Sequence, residues 1–343
     1  MNQNDKKTRI HIKNNRWKQG SFPNTPHGEE IFTITKERFD KALKAFPDLK
    51  DKIEFFIDWD EDNFSTSMLS TEILLAWNLP TLNIKKIAPK LQWIHCIGAG
   101  VEHLLPLEWL TNEIILTNNK GVHAKKAGEY GLMAVFMLHN HLPKIITNQH
   151  LKSYEQYYGT PISGCTIVIV GTGSLGGATA RQLEPFGVKT IGVNRQGKFV
   201  KGFTEVVGNN KLDYVLPSAD ILYLALPETP ETMGLIDRRR LNLLKPTCGI
   251  VNIGRQSAID YQALCEMLKN GNIAGAILDV FNPEPIASQS YLWNVPNLVI
   301  TPHISADDGK NYTNLTLELF FRNLGRYLSG KSLINEVNKE LGY

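Results

Sequence analysis

The sequence has little that would place it in a membrane, in a disulfide framework or at a metal. No segment approaches the roughly 20 apolar residues that cross a bilayer, and the polar first residues, MNQNDKKTRIHIKNN, lack the apolar core of a signal peptide. The four cysteines lie in apolar stretches without C-x-x-C spacing, which indicates free thiols. We therefore expect a cytoplasmic protein that binds no metal and contacts no membrane.

An excess of charge of one sign is also missing. The 37 basic and 34 acidic residues leave a net charge of +3, and the basic clusters are short, at Lys6-Lys7 and Arg238 to Arg240. No nucleic-acid-binding motif accompanies them, so we expect no nucleic-acid partner. A chain of 343 residues, 42% of them hydrophobic, is instead typical of a globular protein with two domains.

Strand-like and helical patterns alternate along most of the chain, which predicts an α/β fold with largely parallel sheets. The early predicted elements are strands at 10–12, 53–57, 72–76 and 91–96, and a helix at 36–46. The apolar stretch 124–142 predicts one long helix, and a polar stretch follows it at 148–163. We expect a first domain at 1–122, a second at 123–305, and a helical return to the first at 306–343.

The most informative segment is a glycine-rich turn between a strand and a helix. Thr166 to Val170 is a β-branched run, and it leads into Gly171-Thr-Gly173-Ser-Leu-Gly176 and then a helical pattern. In that context the glycines permit a tight turn, close approach of a pyrophosphate and close helix packing, while the helix N-terminus attracts the phosphates. The predicted dinucleotide contacts are Gly171, Gly173, Ser174, Leu175 and Gly176.

The next predicted strand lacks the acidic residue that NAD-selective sites place at its end. Thr190 to Val193 is followed by Asn194 and Arg195, and a guanidinium there can pair with a 2′-phosphate. We therefore predict that Asn194 and Arg195 contact the cofactor and that NADP(H) is preferred, with NAD(H) as the alternative.

Four further apolar runs end in polar or loop residues where a doubly wound sheet presents its ligand-binding edge. They span 221–227, 249–255, 275–281 and 298–303. The predicted ligand contacts at their ends are Leu226, Pro227, Ile253, Arg255, Asp279 and His303.

From about residue 91 to the end, the sequence resembles the D-isomer-specific 2-hydroxyacid dehydrogenase family. The resemblance depends on segments in the family's order and approximate spacing. These are Gly98-Ala99-Gly100-Val101, the glycine-rich turn, Val251-Asn252-x-x-Arg255, Asp279-Val280-Phe281-x-x-Glu284-Pro285 and Thr301-Pro302-His303-Ile304. It implies two doubly wound parallel-sheet domains, a Rossmann NAD(P)-binding domain and a smaller flavodoxin-like substrate domain.

The resemblance also implies a role for each of these residues. His303 would be the general acid that protonates the substrate carbonyl, and Glu284 its carboxylate partner, which favours the imidazolium. Arg255 would bind the substrate carboxylate through a bidentate pair. Backbone N–H groups of Ala99, Gly100 and Val101 would hold the same carboxylate, and Asp279 would contact the nicotinamide side of the cofactor.

The implied activity is reduction of a small 2-oxo acid, such as glyoxylate or hydroxypyruvate, to the D-2-hydroxy acid by a homodimer. Three positions depart from the family's usual residues, Gln256, Tyr130 and Tyr154. Two alternatives stay open: a phosphite-type dehydrogenase with the same residues, and a regulator that senses NAD(H).

Overall fold

The computed structural model describes residues 6–16 and 28–342, and the chain folds into two compact units. Unit 1 comprises Met1–His123 and Asp308–Tyr343, and unit 2 comprises Ala124–Asp307. The predicted domain limits lie one and two residues from these limits.

The strands are β1 (Thr8–Asn14), β2 (Ile53–Trp59), β3 (Ile73–Ala76), β4 (Trp93–Cys96), β5 (Ile115–Thr117), β6 (Thr166–Val170), β7 (Lys189–Asn194), β8 (Glu205–Gly208), β9 (Ile221–Leu224), β10 (Gly249–Asn252), β11 (Gly275–Leu278) and β12 (Leu298–Ile300). The helices are α1 (Gly28–Phe32), α2 (Lys36–Leu43), α3 (Phe64–Ser67), α4 (Ile84–Ile87), α5 (Ala124–His139), α6 (Leu142–Leu151), α7 (Ser174–Leu183), α8 (Leu212–Val215), α9 (Arg238–Leu241), α10 (Tyr261–Lys269) and α11 (Tyr312–Leu328). No helix of the described residues is both long enough and apolar enough to cross a bilayer.

Unit 1 is built on a parallel sheet with the strand order β2-β1-β3-β4-β5. This is the flavodoxin-like order of a doubly wound sheet. Helix α2 begins after Thr35, whose hydroxyl accepts a hydrogen bond from the Arg38 N–H at 3.3 Å. Its buried Phe39 packs on Phe321 of α11, with ring centroids 4.9 Å apart, so the last helix completes the core of unit 1.

Unit 2 is built on a second parallel sheet, in the order β12-β11-β10-β9-β6-β7-β8. Six of its strands have the Rossmann order on either side of β6, and β12 adds a strand at one edge. Helix α5 packs on α7, and a side chain at Gly128 or Gly131 would press on Ala178 or Thr179 of that helix. The predicted fold class, two doubly wound α/β domains, is confirmed.

Two details of the sequence-based prediction are wrong. The single helix predicted at 124–142 is two helices, because His141 adopts a left-handed conformation with φ of +57° and Pro143 stands in the first turn of α6. Proline has no N–H to continue the preceding hydrogen-bond ladder. Helix α6 also runs four residues into the predicted polar stretch. Strands β5 and β8, edge strands of three and four residues, were not predicted.

Candidate functional site

The imidazole of His303 lies against the carboxylate of Glu284. The His303 Nδ1 atom is 2.8 Å from Glu284 Oε2. The second carboxylate oxygen, Oε1, accepts a hydrogen bond from the Phe281 N–H at 2.6 Å. Because Nδ1–H is donated to a carboxylate, Nε2 is the ring nitrogen that gains or loses a proton.

Electrostatics favour the charged forms of this His303–Glu284 pair. Burial penalises the imidazolium, but the hydrogen bond and negative charge of Glu284 outweigh that penalty, and the pKa of His303 is raised. Burial likewise disfavours the charged carboxylate. The hydrogen bond from His303 and the positive charge of His303 outweigh burial, so the pKa of Glu284 is lowered. The imidazole is 40% exposed, so a proton on the ring remains accessible.

The loop that carries His303 is held by the buried carboxylate of Asp279. Its Oδ1 accepts hydrogen bonds from the Thr301 hydroxyl at 2.6 Å and the Ile304 N–H at 3.0 Å. Its Oδ2 accepts one from the Ser305 N–H at 2.9 Å. His303 has φ of +54°, a conformation that is uncommon outside glycine, and these bonds on both sides maintain it. Asp279, predicted as a cofactor contact, thus also positions the histidine.

Tyr130 extends this network from α5. Since the Thr301 hydroxyl donates its proton to Asp279, the Tyr130 hydroxyl is the donor in its 2.7 Å bond to Thr301. Tyr130 is 3% exposed, and burial raises the pKa of its phenol. Sequence reasoning identified Tyr130 only as a departure from the family. Its partner is 171 positions away, and only the fold brings the two together.

Asp307 is a further titratable group of this region that the sequence did not single out. Burial raises the pKa of Asp307 to about 6, although the positive charge of His303 opposes that rise. The position follows the Thr301-Pro302-His303-Ile304 motif by three residues, and no pattern in the chain marks it.

Arg255 lies in the turn after β10, and Asn252 shapes that turn. The Asn252 side-chain oxygen accepts a hydrogen bond from the Gly254 N–H at 3.0 Å, and its amide donates to the Arg255 carbonyl at 3.0 Å. The same amide donates to the Tyr261 hydroxyl at 3.2 Å, and that hydroxyl donates to the Val280 carbonyl at 2.7 Å. The Asn252-x-x-Arg255 spacing therefore follows from hydrogen bonding within the turn.

The charge of Arg255 acts on both members of the His303–Glu284 pair, lowering the pKa of each. Unit 2 therefore brings the three predicted catalytic residues together. Gln256, the departure that follows the arginine, begins a short 3₁₀ turn at Gln256–Ala258 and leaves the Asn252 contacts in place.

The glycine-rich turn has the geometry that a dinucleotide requires. Gly171 has φ of +100°, and a side chain there would overlap the Ala225 carbonyl. A side chain at Gly176 would overlap the Gly171 carbonyl, whereas one at Gly173 would meet no atom within 4 Å and would fill the open space in front of α7. Ser174 and Leu175 form the first turn of α7, whose free N–H groups face that space.

Asn194 is the last residue of β7 and Arg195 follows it, and their side chains have different partners. The Asn194 amide donates to the Thr172 hydroxyl at 3.1 Å and the Lys198 carbonyl at 2.8 Å, so it shapes the turn beside the glycine loop. Arg195 Nη2 lies 3.8 Å from Glu231 Oε2, with both side chains about half exposed. Such an exposed pair is weak.

Leu226, Pro227 and Ile253 lie at the carboxyl edge of the same sheet. A side chain at Gly254 would come within 2.6 Å of the Leu226 backbone, so these two loops touch. Pro227 presents its carbonyl to the Thr232 hydroxyl at 2.7 Å, and Ile253 is 3% exposed. The side chain of Ile253 is therefore buried at this edge of the sheet and is not an exposed ligand contact.

Ala99, Gly100 and Val101 belong to unit 1, where they follow β4. Among the described residues, no backbone acceptor receives a hydrogen bond from their N–H groups, so the segment offers donors to an anion. In the described part of the chain, no cluster of three histidine, cysteine or carboxylate side chains has the geometry of a metal site.

Comparison with known proteins identifies the family of this chain. The family model described as D-isomer specific 2-hydroxyacid dehydrogenase, NAD binding domain, matches residues 132–305. A glyoxylate reductase of Thermofilum pendens is 33% identical over 261 residues, which cover 74% of this chain and 77% of that protein. An uncharacterized protein in the proB 3′ region of Corynebacterium melassecola is 39% identical over 178 residues, 52% of this chain and 58% of that protein.

This chain therefore matches little more than half, 58%, of the length of the Corynebacterium melassecola protein. Among solved structures, a D-isomer specific 2-hydroxyacid dehydrogenase of Xanthobacter autotrophicus Py2, in complex with NADPH and MES, has a TM-score of 0.81 at 23% identity. That match covers 98% of this chain and 99% of the other, and it shows the shared fold. The family model matches residues 132–305, and the glyoxylate reductase of Thermofilum pendens is 33% identical over 74% of this chain. This chain therefore belongs to the D-isomer specific 2-hydroxyacid dehydrogenase family.

Proposed function

We propose that this protein reduces a small 2-oxo acid, of the glyoxylate or hydroxypyruvate kind, to the D-2-hydroxy acid with NADPH. The observation that carries the proposal is the 2.8 Å contact between His303 and Glu284, because it keeps a proton on an accessible imidazole beside Arg255. The name of the Thermofilum pendens relative, glyoxylate reductase, supports the choice of substrate.

The chemistry divides between cofactor and protein. The reduced nicotinamide, when bound, supplies the hydride that the carbonyl carbon accepts. His303 donates the Nε2 proton to the carbonyl oxygen as that oxygen becomes a hydroxyl, and the ring is left neutral. Glu284 orients the imidazole and stabilises its charged form before transfer. Arg255 binds the substrate carboxylate with two parallel hydrogen bonds, which holds the carbonyl in place.

The residues present fit the cofactor. The open space at Gly173, the close packing at Gly176 and the N-terminus of α7 form a cradle for a pyrophosphate. Asp279 and the loops of Leu226 and Ile253 line the remainder of that sheet edge. The four cysteines are free thiols, which supports the proposed cytoplasmic location.

The test of the proposal is oxidation of NADPH and NADH, followed at 340 nm, with glyoxylate, hydroxypyruvate, pyruvate, phenylpyruvate and 2-oxoisocaproate. Turnover with a small acid and NADPH supports the proposal. Cofactor binding without turnover of any of these acids would contradict it and favour the phosphite-type enzyme or the NAD(H)-sensing regulator.

Replacement of Arg195 by alanine is expected to weaken NADPH binding by roughly ten- to hundredfold, the value of a charge-assisted hydrogen bond. NADH binding should change little, because NADH has no 2′-phosphate. Fluorescence titration of both cofactors measures the effect. Lys189→Ala, which removes a half-exposed lysine at the start of β7, is the matched control. Equal losses for the two cofactors in the Arg195 variant would overturn the proposed preference for NADP(H).

We further propose a homodimer formed through the segment from α5 to the residues after α6. Large apolar side chains are exposed there, with Leu151 71%, Tyr154 95% and Tyr158 85% accessible, and such exposure indicates an interaction surface. Sedimentation equilibrium should show a dimer that the double variant Leu151→Glu/Tyr154→Glu shifts toward the monomer. Tyr214→Glu, at a tyrosine that is 84% exposed elsewhere in unit 2, should leave the dimer intact. A monomeric wild-type protein would refute the proposal.

A further inference from the structure

Unit 1 has an open cavity at the carboxyl edge of its own sheet. The cavity is small and open to solvent, with room for a group about the size of one water molecule, and its lining includes Lys13, Asn15, Phe32, Trp77 and Ile97. These residues lie at or just beyond the ends of β1, β3 and β4, apart from Phe32 at the end of α1. Strand β1 has β2 on one side and β3 on the other, so the cavity lies at the topological switch point, where doubly wound sheets bind ligands.

The unusual feature of this cavity is a buried lysine. Lys13 is 4% exposed, and its ammonium donates to the Asn78 side-chain oxygen at 2.8 Å and the Asn15 side-chain oxygen at 3.2 Å. Both acceptors are neutral amides. Among the described residues, no carboxylate lies within ion-pair distance of this ammonium, whereas Lys6, Arg9 and many other basic side chains of the chain have such a partner.

A buried charge without an opposite charge is costly to the fold. Burial lowers the pKa of Lys13, and more distant acidic residues, Glu61, Asp60 and Asp58, only partly oppose that effect. Asp60 is already paired with Arg16 at 3.0 Å. A ligand that brings a negative charge to the cavity would supply the missing partner.

Trp77 connects the cavity with the segment that is proposed to hold the substrate carboxylate. Its ring occupies the space that a side chain at Gly98 would need, and it stacks on His103 with centroids 4.2 Å apart and an interplanar angle of 6°. The His103 ring is also bonded to the Trp77 carbonyl at 2.7 Å. Trp77 is therefore a fixed wall, with the Gly98–Val101 loop against its ring and the cavity of Lys13 also along its surface.

We propose that Lys13 binds the second carboxylate of a 2-oxo dicarboxylic acid, so that such acids are preferred over monocarboxylic 2-oxo acids of the same length. This inference rests on the proposed function, because it assigns the first carboxylate to that reaction. Asn15 and Asn78 hold the ammonium in place, and Trp77 separates the two anion-binding points. A neutral 2-oxo acid of equal length leaves Lys13 without a counter-ion.

The kinetic test compares 2-oxoglutarate with 2-oxovalerate, which has the same chain length and a methyl group in place of the second carboxylate. In the wild-type enzyme, kcat/KM should be at least roughly tenfold higher for 2-oxoglutarate, as expected for one charge-assisted hydrogen bond. Lys13→Met should remove that advantage and keep turnover of 2-oxovalerate. Lys85→Met, at an exposed lysine paired with Glu113, should keep the advantage. Equal kcat/KM for the two acids in the wild type, or equal losses in Lys13→Met, would overturn the proposal.

A binding experiment separates this inference from the proposed function. Malonate, an unreactive dicarboxylate, is titrated calorimetrically into the wild type, Lys13→Met and Lys13→Gln, which retains a hydrogen-bond donor if the methionine variant folds poorly. If no 2-oxo acid is turned over but malonate binds the wild type at least roughly tenfold more tightly than either variant, the reaction is wrong and the anion site stands. Malonate affinity that is equal in all three proteins, or absent from all, would refute the site.

Discussion

Replacement of His303 by alanine is expected to lower kcat by roughly 10²- to 10⁴-fold, the usual contribution of a general acid. The variant loses the Nε2 proton of the imidazole, whose charged form Glu284 stabilises through the 2.8 Å contact at Nδ1. NADPH affinity should be nearly unchanged, because the pyrophosphate cradle follows β6 and Arg195 follows β7, whereas His303 follows β12 at the edge of the sheet. Steady-state kinetics and a fluorescence titration of NADPH measure the two quantities.

His150→Ala is the matched control, since His150 is an exposed histidine of α6 bonded to the Ile146 carbonyl of its own helix. Its turnover should equal that of the wild type. A His303→Ala variant that loses NADPH affinity in proportion to its turnover would contradict the assigned role.

The same role requires a particular pH dependence. Reduction uses the protonated imidazole, so kcat/KM should fall as the pH rises through the raised pKa of His303. In Glu284→Gln the supporting charge is gone while burial still opposes the imidazolium, so that fall should begin at a lower pH. Asp307, whose pKa burial raises to about 6, is a second titrating group, and Asp307→Asn should leave the alkaline fall in place. Superimposable wild-type and Glu284→Gln profiles would exclude the pairing as the source of the raised pKa.

The second large effect is expected at Arg255. Loss of one partner of a buried, hydrogen-bonded charge pair costs about 2–5 kcal/mol, or roughly 30- to 5,000-fold in affinity, so Arg255→Ala should lose kcat/KM on that scale. Arg255→Lys should recover only part of it, because an ammonium keeps the charge and not the planar fork. The Asn252 contacts that shape the turn involve the Arg255 backbone and should survive both changes.

The measurement is kcat/KM for glyoxylate at saturating NADPH, and free guanidinium added to Arg255→Ala should restore part of the lost activity. Arg238→Lys, at a half-exposed arginine paired with Glu266, is the control for a general effect of the substitution. Wild-type KM in Arg255→Lys would show that the guanidinium does not bind the substrate carboxylate.

Local rules account for what was predictable from the sequence. The β-branched run at β6, followed by glycines, predicts a strand, a tight turn and a helix in that order. The turn requires glycine because a side chain at Gly171 or Gly176 would overlap a neighbouring backbone carbonyl. Four of the five strands of unit 1, all except β5, were predicted from short apolar runs, and their parallel pairing follows from the helices between them. The end of α5 was predicted wrongly, since a left-handed residue at His141 depends on the turn around it.

Contacts between distant segments were not predictable. Tyr130 stands in α5 and Thr301 beyond β12, and Asn78 reaches Lys13 across the end of the sheet. A hydrogen bond between such residues depends on side-chain placement to within a few tenths of an ångström. No periodicity in the chain encodes that distance. The pKa shifts of His303 and Asp307 depend on how deeply each side chain is buried. Burial of an individual side chain cannot be derived from the sequence.

The sequence by itself determined the fold class, the dinucleotide turn and the family. Backbone sterics act between neighbouring residues, and the spacing of motif residues can be read directly from the order of amino acids. The tertiary structure alone decided how the His303 loop is held, that Asp279 and Tyr130 act on it, and that Lys13 is buried against neutral amides. These properties arise from the removal of water and the meeting of residues far apart in the chain, and both happen only when the chain folds.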